Sequence, residues 1–340
     1  MRKVLVSLFM ICTLFITSCS IGAGSGVGVS AGAGSAKIDH NDEINKEILD
    51  SVKILDDKVL DSIKNNDADK ILEISSEAFK KESGKLNEWL ANTNESEKNR
   101  VFDYQDRYYC NVDKVGKFNL NVNTLKDDPF YITVEAASKD IFVSLIKSTS
   151  NKDDSLLSLI YIKEQGEWKL RTLTIDNYSY GGMNAIDLYE KAKSLDAQGY
   201  KVPSSLYSVL SNKLLHPAPF IKYKKESEIT DYHKKLLENI KNDYTFPQKL
   251  KNANNVEIYG LDVKYVIDKG IVPVIKYTTD IEWSNKKEIE KEANDMNNEV
   301  TSLYPGMKET FKFILYEAYS EPPVDAKKTY DCYRTGVEEK

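Results

Sequence analysis

The chain has 340 residues, a net charge of −6 and only three histidines. A mildly acidic body argues against nucleic acid, and against an anionic membrane surface, as the main partner, because both are held by basic patches. The length suits about two domains at roughly 150 residues each.

Arg2 and Lys3 form a short positive start, and an apolar run follows from Val4 to Ile16. Small residues then precede Cys19. This order describes a secretory signal peptide over residues 1–18. The run is too short for a permanent span, which needs about 20 residues. Ile16-Thr17-Ser18-Cys19 resembles the lipobox of bacterial lipoproteins, an aliphatic residue and two small ones before an invariant cysteine. The resemblance covers the leader alone. It implies cleavage before Cys19, lipid (palmitate among the acyl chains) on Cys19, and a place in the cell envelope. The membrane is the outer one if the bacterium has one, otherwise the cell membrane. An ordinary secretory signal with a chance cysteine is the competing reading. Cleavage removes Arg2 and Lys3 and takes the net charge to −8, so the anchor is lipid and not charge. Several acyl chains on one cysteine hold stably where a single chain does not.

Residues 19–41 read as the lipidated cysteine and a tether. Ser20 to Ala36 is Gly, Ala and Ser with three aliphatics and no charge, a composition that buries no core and spans about 23 Å as a flexible coil. Gly22, Gly24, Gly26 and Gly28 imitate a phosphate-binding loop, but no strand precedes them, so that reading fails its context. Ile44, Ile48, Val52, Leu55, Val59 and Ile63 recur at helical steps, and Asn65-Asn66-Asp67 ends the helix with polar caps. A second helix is expected at 68–81, burying Ile71, Leu72, Ala78 and Phe79, and a third around Leu86, Trp89 and Leu90. From Phe102 the period is two, with Phe102, Tyr104, Tyr108, Cys110 and Val112 on one face. Further strands are expected at 115–123, 129–137, 140–148, 156–163 and 168–175, the last two joined by a Glu164-Gln165-Gly166-Glu167 hairpin turn.

Helices followed by an antiparallel meander that closes on the Gly166-Glu167-Trp168-Lys169 turn resemble the cystatin-like, nuclear-transport-factor-type fold, the superfamily of ketosteroid isomerase. The resemblance spans roughly 42–176. It implies a curved, cone-like sheet wrapped on a long helix, with a pocket at the open end. Isomerase-type catalysis needs a carboxylate base beside a tyrosine and a protonated acid. Asp103, Tyr104, Asp106 and Tyr108 are the candidates, Asp106 foremost because it shares a face with Phe102 and the two tyrosines; neutralisation by Arg107 is the plainer reading. Residues 41–215 contain no histidine, which weakens the case for acid–base chemistry.

Residues 177–217 read as a helical hairpin resembling one tetratricopeptide-like unit. Ala185, Leu188, Ala192 and Leu195 mark its first helix, Leu206, Val209, Leu210 and Leu214 its second, and Pro203 suits a helix start. A lone unit does not stack into a solenoid, so the hairpin is expected to pack on the cone as an appendage. Residues 218–340 follow in the order α-β-β-α-β-β, a smaller domain with a sheet and helices on one face. Asn285 and Glu288 have the spacing of a capping box. The fold class is therefore α+β throughout. Cys110 and Cys332 either form a disulfide across the two halves or are two small buried hydrophobes. His216 reads as a turn residue and His233 as the border of an apolar stripe. No cysteine or histidine spacing suits a metal, so neither metal nor cofactor is expected. These features favour a non-enzymatic envelope lipoprotein that binds another protein or aids an assembly. Small-molecule binding in the cone is the first alternative and an enzyme in the same pocket the second.

Overall fold

The computed structural model describes residues 36–116, 119–123, 130–150, 153–251, 256–325 and 327–339. The leader, Cys19 and the Gly/Ala/Ser stretch up to Ser35 lie outside the described residues. The first element is β1 (Ala36–His40), an edge strand where the sequence suggested the end of a tether. Next comes α1 (Lys46–Asn65). Its N-terminus is capped by the Asn45 side chain, which accepts from Glu47 N, and its C-terminus by Asn66 in the left-handed conformation at φ 55°, as caps of this type require. Then follow α2 (Ala68–Glu73), α3 (Glu77–Glu82) and α4 (Leu86–Glu97). One helix was expected where α2 and α3 stand. The chain opens between them because Leu170 takes the backbone: Ser76 N donates to Leu170 O at 2.9 Å, and Leu170 N donates to Ile74 O at 2.8 Å.

The strands that follow are β2 (Val101–Val112), β3 (Asn119–Asn123), β4 (Phe130–Glu135), β5 (Asp140–Ser150), β6 (Asp153–Glu164) and β7 (Glu167–Tyr180). The main sheet is antiparallel in the order β1-β2-β5-β6-β7. The expected single meander is corrected here. β2 pairs directly with β5 from Val101 opposite Thr149 to Asn111 opposite Asp140, which leaves β3 and β4 no place between them. The β6–β7 turn is as expected, with Gln165 and Gly166 both at positive φ, the backbone a two-residue hairpin favours.

Both faces of the main sheet are covered. On one face Phe142, Ile146, Leu157, Leu159, Tyr161 and Leu170 pack against Val52, Val59, Ile63, Ile71 and Leu90 of the helices. The other face joins a second core that runs through the rest of the molecule. Burial on both sides explains why β6 is enclosed at almost every position from Asp154 to Ile162, the near-continuous apolar pattern of a central strand.

The α5 (Ala185–Ala197) and α6 (Lys201–Lys213) hairpin contributes to that second core. The hairpin packs against the rest of the molecule so closely that α6 is enclosed on nearly all sides. Ser204 Oγ donates to Ala192 O at 2.8 Å and Ser211 Oγ to Ala185 O at 2.6 Å, which draws the two helices together. β8 (Ile221–Tyr223) then pairs with β4, Ile221 opposite Ile132, to give a three-stranded sheet β3-β4-β8. The remaining elements are α7 (Glu226–Asp243), β9 (Gln248–Lys249), β10 (Glu257–Val266), β11 (Gly270–Thr278), α8 (Lys286–Leu303), α9 (Met307–Thr310), β12 (Phe313–Tyr319) and β13 (Tyr333–Glu338). Their sheet has the order β13-β12-β11-β10-β9, and β11 and β12 are parallel because α8 carries the chain between them. Asn285 is the N-cap residue of α8, but its side chain makes no capping bond. A capping box forms instead at Asn184 and Asp187 on α5. The molecule is α+β, as its sequence indicates.

Candidate functional site

Tyr104, Asp106 and Tyr108 all lie on β2, but they do not share a face. The register steps from Tyr104 opposite Ile146 to Asp106 opposite Leu145, so Gln105 forms a bulge that inverts the alternation. Phe102 and Tyr104 face the helices; Asp106, Tyr108, Cys110 and Val112 face the second core.

Tyr104 reaches Asp56 of α1. This carboxyl, 1% exposed, accepts from Tyr161 Oη at 2.7 Å, Ser144 Oγ at 2.9 Å and Tyr104 Oη at 3.0 Å. Burial raises its pKa to about 6, in spite of the three hydroxyl bonds that favour its charge. Burial, together with the neighbouring Asp56 charge, pushes both tyrosine hydroxyls well above their ordinary range. Sequence reasoning missed Asp56, although a signal existed. It lies four residues after Val52 and three before Val59, on the apolar stripe itself, where a charge needs a buried partner. A carboxyl and two phenols are the group types of isomerase chemistry, yet here they tie a helix to a sheet, Asp56 and Tyr161 buried and Tyr104 at the exposed edge.

Asp106, 2% exposed, turns the other way. Its Oδ1 lies 2.9 Å from His40 Nε2 and accepts from Asn41 Nδ2 at 3.3 Å, and the same Asn41 Nδ2 lies 3.0 Å from His40 Nε2. Asn41 Oδ1 in turn accepts from Arg107 N at 2.8 Å, and the Tyr108 ring stacks on His40 with centroids 4.8 Å apart. The Tyr108 hydroxyl is buried and has no hydrogen-bond partner among the described residues; burial raises its pKa. His40 escaped the sequence reading because it stands one residue before the histidine-free stretch, in a segment assigned to the tether. The arrangement clasps the end of the edge strand β1 to β2.

Two more enclosed carboxylates were not anticipated. Glu97 accepts from the Ser148 hydroxyl and pairs with Arg100 Nε at 3.4 Å. Glu317 of β12, 2% exposed, receives Lys264 Nζ at 2.6 Å, Arg334 Nε at 2.9 Å and Tyr319 Oη at 2.9 Å. Burial alone would raise its pKa, but these donors outweigh it and hold the carboxyl at about 2. His233 does meet a serine, Ser208, at 3.1 Å. The Ser208 hydroxyl, however, donates to Ser205 O at 2.7 Å within α6, and burial lowers the imidazole pKa. His216 is exposed, 3.8 Å from Glu226.

An open depression of about 400 Å³ beside α1 and α2 is lined by Asp57, Lys58, Asp61, Lys70 and Glu73. One of its two lysines is engaged, with Lys70 Nζ 2.9 Å from Asp61. Cys110 and Cys332 are free thiols, Cys110 buried in β2 with its pKa pushed up to about 12. Among the described residues no cluster of His, Cys, Asp or Glu is placed to hold a metal, and no helix is long and apolar enough to cross a membrane. No protein-family model matches the chain, and no curated protein or solved structure matches it either.

Proposed function

We propose that the chain is a lipid-anchored protein of the bacterial cell envelope that binds a partner protein, or aids its assembly, at the membrane surface. The observation that carries this reading is an ordered run in the sequence: Arg2-Lys3, the apolar stretch to Ile16, Ile16-Thr17-Ser18-Cys19, then an uncharged Gly/Ala/Ser stretch. The first described element, β1, starts at Ala36, and a stretch of the preceding Gly/Ala/Ser composition would reach about 23 Å as a flexible coil. That distance keeps the body beside the membrane with freedom to turn toward a partner. The enclosed carboxylates support a binding role over a catalytic one. Asp56, Glu97 and Glu317 are each fixed by hydroxyl or cationic donors inside the packed structure. The test is a cross-linked pull-down from whole cells, wild type against Cys19→Ala. The reading expects one partner captured by the lipidated form and lost with the anchor. Equal capture of the same partner by Cys19→Ala removes the anchoring requirement, and capture of none by either form removes the binding role.

A further inference from the structure

Arg107 stands out by what it lacks. It lies on the helix side of β2, opposite Ser144 of β5, with its guanidinium stacked on the Tyr104 ring at 4.6 Å. That stack satisfies the face of the cation and leaves its edge N–H donors untouched. Nε is buried without a hydrogen-bond partner, and neither Nη nitrogen bonds to any described residue. The other described arginines are engaged: Arg100 with Asp153 and Glu97, Arg171 with Glu82, Arg334 with Glu317. Two carboxylates adjoining Arg107's neighbours, one bonded to Tyr104 and one preceding Arg107 in the chain, are held by other donors. Asp56 is engaged by three hydroxyls, and Asp106 by His40 and Asn41.

A buried guanidinium N–H left unmade in a native fold marks a missing acceptor, and a planar fork of donors suits an oxyanion. We infer that Arg107, backed by the Tyr104 ring, is the anchor of a binding site for the carboxylate or phosphate group of a small solute. Asn41 steadies the site by accepting from the Arg107 backbone N–H. The site stands apart from the lipid anchor and does not depend on it.

The test uses the full chain with ¹⁵Nε-labelled arginine. There are five arginines in all, so each Nε–H resonance is separable, and Arg107→Lys identifies its own by loss. Lysine substitutions at Arg2, Arg100, Arg171 and Arg334 give the same assignment by elimination if Arg107→Lys does not fold. Inorganic phosphate, acetate and chloride are titrated at matched ionic strength. The Arg107 resonance is expected to move saturably with phosphate or acetate while the others stay still, and the more effective of the two identifies the group recognised. No movement beyond that given by chloride overturns the site. So does a common drift of all the arginine signals, which reports screening alone.

Discussion

Replacing Asp56 with asparagine isolates a single buried proton. In the native protein this carboxyl titrates at about 6, against 3.8 for an ordinary aspartate, a displacement that corresponds to about 3 kcal/mol. Because the folded state holds the proton more tightly than the unfolded chain, Asp56 favours folding most below pH ~4. That contribution is lost as pH rises through 6, where the buried charge carries its full penalty. The residue is 1% exposed, so water does not screen the effect. Asparagine keeps the shape but carries no charge at any pH. It leaves some of the three hydroxyls less well paired, a constant offset of about 1–2 kcal/mol. The stability of the wild type minus that of Asp56→Asn should therefore fall by about 2 kcal/mol between pH 4 and pH 7, whatever its absolute level. Urea unfolding followed by circular dichroism across that range measures it. A flat difference would refute the assignment of the raised pKa to Asp56, and a rising one would refute its sign.

Other expectations follow from the same packing. Tyr161→Phe removes the shortest hydrogen bond to Asp56, one that favours the charged form. The falling limb of the stability profile should therefore move to higher pH, as the same urea series reads out. Gly306 sits at φ +87°, and a Cβ there would meet the Tyr200 ring at 2.2 Å. Gly306→Ala should cost about 2 kcal/mol or more in chemical denaturation from strain and overpacking together. Phe142 is fully buried between the helices and the sheet, and Phe142→Ala should cost about 3–5 kcal/mol. In thiol labelling of the native protein Cys332, only partly buried, should react before Cys110; the reverse order would contradict the placement of β2.

The elements legible in the sequence were those whose signal is local. The Ile44–Ile63 stripe, the Gly166 turn and the long elements after residue 218 (α7, β10, β11, α8, β12 and β13) each announce themselves within about one helix or hairpin, whereas the short β8, β9 and α9 do not. What stayed hidden depends on partners far away in the chain. Nothing in Phe130, Ile132 and Val134 says that their strand pairs with Ile221 and not with β5. Nothing in 68–81 says that Leu170 will open the helix at Ser76. The candidate site was read one face wrong because a single bulge at Gln105 separates Tyr104 from Asp106, and local alternation is blind to it. Asp56 was legible in principle, being a charge on a core stripe. His40 was not, because β1 is five residues long and gains its meaning only from β2.

The most direct test of the account is the mass of the N-terminal peptide from the envelope-bound protein, compared with the fractionation of Cys19→Ala. The account predicts a peptide that begins at Cys19 and carries acyl chains, absent from the variant, which moves to the soluble fraction. An unmodified Cys19, or a Cys19→Ala protein that stays with the membrane, would contradict the lipid anchor on which the proposed function rests.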